Sequence, residues 1–132
     1  MTIKNAEISR ALKELSICAQ LVSVMVIMKG AEICGRITSR RPDNGYMTFI
    51  AFDMHIPKTD GDTEERYIYG HEMIDSGCGM KNTNVGIAKI LVRNRKELKK
   101  HYGLDIPEDV DGVSEKWREY FRKGGYTVID AI

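Results

Sequence analysis

The chain has 132 residues, 42% hydrophobic and 30% charged, with a formal net charge of +1 at pH 7. That length suits one domain, and the composition is that of a folded globular protein rather than a disordered one. A charge this close to zero gives no bulk-charge argument for binding nucleic acid, and equally none for an acidic DNA mimic.

The opening "MTIKNAEISRALKEL" carries a charge every few residues and has no apolar run of the kind a signal peptide needs. From Asn5 to Leu15, Ile8, Ala11, Leu12 and Leu15 recur at helical spacing, with Arg10, Lys13 and Glu14 on the other side, so an amphipathic helix is expected. Ile17 to Met28 is rich in Val, Ile and Met. Lys29-Gly30 is a tight-turn signal, and Ala31 to Ser39 alternates, which reads as a β-hairpin. "RRPDNG", Arg40 to Gly45, supplies a second turn. Tyr46 to Met54 is a third strand, apolar on both faces through Phe49, Ile50, Ala51 and Phe52, and so expected inside the sheet.

"HIPKTDGDTEE" is an acidic loop, and Lys58 to Glu65 is the segment most expected to move. "RYIYG", with "HEMID" after it, gives a fourth strand. Thr83 to Tyr102 then places Ile87, Leu91, Leu98 and Tyr102 on one helical face, and "GLDIPEDVDG" interrupts it. Val113 to Lys123 reads as a short helix with Trp117, Tyr120 and Phe121 inward, ended by Gly124-Gly125 with a left-handed residue. "YTVIDAI" alternates as a last strand. The order α-β-β-β-β-α-α-β predicts a single α+β domain over residues 1–132, with helices packed on a mainly antiparallel sheet of about five strands.

The stretch "SGCGMKNTNVGIAK", Ser76 to Lys89, is the most unusual in composition. A glycine turn followed by a helix start can form an anion-binding nest, which makes Gly77, Gly79, Asn82, Thr83 and Asn84 candidate anion ligands. Neither the phosphate-loop pattern nor the dinucleotide fingerprint fits, since Asn82 stands where the latter needs its third glycine. The structural alternative is a strand-to-helix turn in which Asn82, Thr83 or Asn84 caps the helix.

Two metal-like patterns fail on inspection. His71-Glu72-x-x-Asp75 is a variant of HExxH, but it falls on a strand or loop where a helix is required. Asp109, Asp111 and Gly112 match part of a calcium loop, yet Pro107 and Arg118 occupy its first and last ligand positions. Cys18, Cys34 and Cys78 are odd in number and far apart, so reduced thiols in a cytoplasm are expected and no disulfide framework. Cys78 with His71 or His55 is a thiol–imidazole candidate, and a packed small residue is its alternative. No catalytic set converges, and no metal or cofactor is implied.

The basic run is more informative. Lys89, Arg93, Arg95, Lys96, Lys99 and Lys100 crowd the second long helix, with Glu97 as their acidic neighbour. Such a face can dock an acidic protein surface or a phosphate backbone; it can also be a solvated face whose last cations favour the helix dipole. The chain's seven methionines suit an irregular core or an adaptable binding surface, and the core is the expectation.

The "AEISRALKEL" helix followed by "GAEICGRIT" resembles many short proteins of phages and other mobile elements. "GHEMIDSGCGMKNTNVGIAKIL" is similar to a Gly-Tyr-Asp-Lys-type segment in such chains, with Met80, Lys81 and Asn82 in place of Tyr, Asp and Lys. "GGYTVIDAI" is similar to their glycine-aromatic-strand ending. The resemblance implies a cytoplasmic accessory protein that binds host machinery, such as an anti-CRISPR or other anti-defence inhibitor. Its partner would be a host protein or complex, met by the basic helix. Nucleic-acid binding by the same helix, and small-molecule or nucleotide binding at the Gly77–Asn84 turn, are the alternatives.

Overall fold

A computed structural model describes residues 19–42, 46–58, 61, 63–75, 77 and 79–131. The amphipathic stretch read at residues 5–15 lies outside these, as do Cys18 and Cys78, and the loop at 58–65 is described only in part. Five strands form one sheet: β1 (Ala19–Lys29), β2 (Glu32–Pro42), β3 (Met47–Ile56), β4 (Arg66–Asp75) and β5 (Thr127–Asp130). Their order is β4-β3-β2-β1-β5, and every pairing is antiparallel. β3 has a partner on each side, as its two apolar faces require. "RYIYG" and "HEMID" are one continuous strand, β4.

The register decides which side chains share a face. Ile37 pairs with Phe52 and Phe52 with Gly70, while Ile50 pairs with Glu72 and Met54 with Ile68. Ile37, Ile50, Phe52 and Met54 are essentially unexposed and join one core with Ile87, Ile90, Leu91, Leu98, Trp117 and Phe121 of the helices. The alternate positions point to the opposite side of the sheet. Successive rows there are Leu21-Arg40-Phe49-Met73, Val24-Thr38-Ala51-His71 and Val26-Arg36-Asp53-Tyr69.

Four helices are described: α1 (Met80–Arg93), α2 (Arg95–Tyr102), α3 (Val110–Ser114) and α4 (Trp117–Lys123). The single helix expected over 83–102 is thus two. At Asn94 the side-chain amide donates to the Ile90 carbonyl at 2.9 Å, beside the backbone N–H that donates to the same oxygen at 3.2 Å. This local competition for a helical carbonyl breaks the helix there. α2 ends at Gly103, left-handed with φ 67°, and Leu104 closes it by donating to the Leu98 carbonyl. The helix expected over 113–123 is also two short ones. Asp109 caps α3 through the Asp111 N–H, and the left-handed residue after α4 is Gly125 (φ 92°), not Gly124 (φ −80°).

Close approach of α1 to the sheet depends on Gly86. A Cβ there would lie 2.7 Å from Ile74 Cγ2 and 2.8 Å from Ile50 Cδ1. α4 is tied to α1 by the Trp117 indole N–H, which donates to Asn84 Oδ1 at 3.0 Å. Asn84→Ala leaves that buried donor unpaired and is expected to cost about 1–3 kcal/mol in chemical denaturation. A change under about 0.5 kcal/mol would mean the indole is satisfied some other way.

Candidate functional site

The basic residues do not form one free face. Lys89 and Arg93 on α1 both reach Glu72 of β4, at 3.8 and 2.8 Å, and Arg93 also donates to the His71 carbonyl at 2.8 Å. Beyond the break at Asn94, Arg95 pairs with Glu108 at 2.9 Å and Lys99 with Asp105 at 2.6 Å. The acidic segment after α2 therefore folds back on the helix it follows. Lys96 and Lys100 are the exposed members of the set with no ion pair among the described residues. Glu72→Gln removes the carboxylate shared by Lys89 and Arg93. Because the cations are more than half exposed, the stability change should stay under about 1 kcal/mol. Retention on heparin should rise, since two cations are released; equal retention of the two proteins would show that the cations were already available.

The glycine turn is held by its own chain. The Gly77 N–H donates to Asp75 Oδ1 at 2.8 Å, so a carboxylate of the protein takes the donor an anion would use. None of the three expected residues caps α1. The N-cap is Gly79, with no side-chain cap; Asn82 donates to the Asp75 carbonyl, Thr83 donates to the Gly79 carbonyl, and Asn84 serves Trp117. In β4, strand alternation sends His71 and Glu72 to opposite faces: His71 stacks on Phe49 with centroids 5.2 Å apart, and Glu72 meets Arg93. One metal ion cannot use both.

What the linear reading missed is where the exposed apolar side chains collect. Seven large ones are exposed among the described residues: Leu21, Val22, Tyr46, Met47, Met73, Met80 and Ile129. All except Ile129 lie at the end of the sheet where β1 begins and β4 ends. Leu21 and Met73 close the two sides of one cross-sheet row, with Arg40 and Phe49 between them. Around the edge, Val22, Ser39, Thr48, Met80 and Thr83 line a groove of about 250 Å³ that also takes Arg41. The methionines are thus divided. Met25 and Met54 are core residues, whereas Met47 (40% exposed), Met73 (45%) and Met80 (70%) coat the surface. A core assignment is corrected for these three.

Comparison with protein-family models, curated proteins and solved structures finds no match for this chain. No described helix is long and apolar enough to cross a membrane.

Proposed function

We propose that the chain is a small accessory protein that acts by binding another protein, with the apolar end of the sheet as its docking surface. The observation that carries this reading is the collection of six exposed large apolar side chains at that end. Exposed apolar residues scattered singly are ordinary on a soluble protein, but six gathered at one end of a sheet point to an interaction site. Three of the six are methionines, whose flexible, polarisable side chains suit an interface that adapts to its partner. Arg40 lies in the row and Arg41 lines the groove, so a partner presenting an apolar projection edged by carboxylates fits best. The resemblance to phage and mobile-element accessory proteins supplies the class of partner, a component of host defence machinery met in the cytoplasm. The basic helix is the weaker docking candidate, because four of its six cations are engaged with carboxylates of this chain.

The deciding experiment compares two double variants in affinity purification from host extract. Met47→Glu with Met73→Glu should abolish retention of the partner that the wild-type protein captures. Lys96→Glu with Lys100→Glu should keep it. The reverse pattern would move the docking surface to the helix, and retention of nothing by the wild-type protein would end the protein-binding reading.

A further inference from the structure

At the opposite end of the sheet, the β1–β2 turn, the exit of β3, the end of α2 and the entry to β5 enclose a cavity of about 470 Å³. That is within the roughly 300–1,000 Å³ typical of small-molecule sites. Two tyrosine rings stand in its wall. Tyr102 and Tyr126 meet edge to face with centroids 5.9 Å apart, and Lys29 Nζ lies 5.6 Å from the centre of the Tyr126 ring. Tyr102 is 8% exposed, and its hydroxyl is buried with no hydrogen-bond partner among the described residues. Buried hydroxyls are nearly always paired, because leaving one unpaired costs the fold stability. The hydroxyl oxygen itself is closed to solvent, so a ligand in the cavity that Tyr102 lines would reach it through a small shift of the ring.

The charges in the wall are unequal. Lys29 and Lys58 line the cavity with the single carboxylate of Glu32; His101, its Nε2 3.1 Å from Glu97, also lines it. Cys34 also lines the wall. Burial, and then the Glu32 carboxylate, pushes its thiol up from the ordinary value, so at neutral pH it is a neutral wall atom and a poor nucleophile.

We propose that this cavity binds a small planar ligand carrying one anionic group. The ring lies against Tyr126, the anion faces Lys29 and Lys58, and an oxygen or nitrogen acceptor of the ligand satisfies the Tyr102 hydroxyl. This site is separate from the apolar end and does not depend on the docking reading.

The test measures thermal stability of the whole chain with three probes: benzoate, AMP and inorganic phosphate. Benzoate or AMP should raise Tm in a concentration-dependent way, as any ligand selective for the folded state does. Phosphate alone should do less. A response to benzoate alone assigns a carboxylate ligand, and a response to AMP alone assigns a phosphate ester. Tyr102→Phe should weaken binding about tenfold, the value of one buried hydrogen bond. The same variant should leave Tm without ligand unchanged or higher, since it deletes an unpaired hydroxyl. Lys58→Ala, at an exposed position, should also weaken binding. No shift with either ring-bearing probe at millimolar concentration overturns the proposal. So does a shift that both variants leave intact, or a lower Tm of ligand-free Tyr102→Phe.

Discussion

Phe52→Ala should destabilise the protein by about 3–5 kcal/mol. The side chain is 1% exposed and sits on an interior strand, with Ile37 opposite on one neighbour and Gly70 on the other. Gly70 itself is overlaid by α1, since a Cβ there would fall 2.7 Å from Ile90 Cγ2. The space left by the ring is therefore bounded by strands and a helix that cannot all move in, and the cavity term adds to the lost transfer energy. Native domains hold only about 5–15 kcal/mol in total, so the variant should sit close to unfolding at 37 °C. Phe52→Leu keeps an apolar side chain there and should cost far less than the alanine. Urea denaturation at 25 °C checks both. A loss below about 1.5 kcal/mol for the alanine variant would place Phe52 outside the core.

How much of this was legible in the chain follows the physics of each signal. Strands are written with period two, and the hairpin, β3 and β4 were readable from alternation and turn residues. The fold class followed from their order. The break at Asn94 was not readable, because apolar spacing runs on through Ile87, Leu91, Leu98 and Tyr102 while the interruption comes from one side-chain amide. The cap of α1 was misread because Asn82, Thr83 and Asn84 are all chemically competent, and the choice fell to a glycine whose backbone alone turns the chain. Gly86 carries no local signal at all; its role exists only once Ile50 and Ile74 lie beneath it.

The candidate sites show the same limit more sharply. Sequence neighbours made the basic helix look like one surface, but Glu72, Asp105 and Glu108 come from elsewhere and take four of its cations. Leu21, Met47 and Met73 are far apart in the chain, and only strand register puts them in one place. Composition could report seven methionines but not which of them face outward. With four of the six cations of the basic helix paired to carboxylates of this chain, the apolar end of the sheet is the more distinctive exposed feature among the described residues.

Stability should fall as pH rises from about 4 to 6, through Asp53. This carboxylate is 3% exposed on β3, with Oδ2 3.4 Å from Arg36 Nε and Oδ1 without a hydrogen-bond partner among the described residues. Burial pushes its pKa up from 3.8 to about 6, more than the Arg36 guanidinium pulls it down. Below pH 4 Asp53 is protonated in both folded and unfolded chains and has no effect. Between the two values the unfolded chain releases a proton that the folded one keeps, so the unfolded state gains. Above pH 6 both are ionised, and the loss is complete at about 3 kcal/mol, the shift converted at about 1.4 kcal/mol per pH unit. Asp53→Asn should remove this slope and be more stable than the wild-type protein at pH 8 by about 1–3 kcal/mol. The comparison of the two proteins isolates this group from the other titrating ones. Denaturation at pH 4, 6 and 8, with an NMR titration of the Asp53 carboxyl, reads both quantities directly. Arg36→Gln supplies the second leg: without the guanidinium the midpoint should move above 6, and stability at pH 8 should drop further. An Asp53 midpoint near 4, or parallel pH profiles for wild type and Asp53→Asn, would show that water reaches this carboxylate.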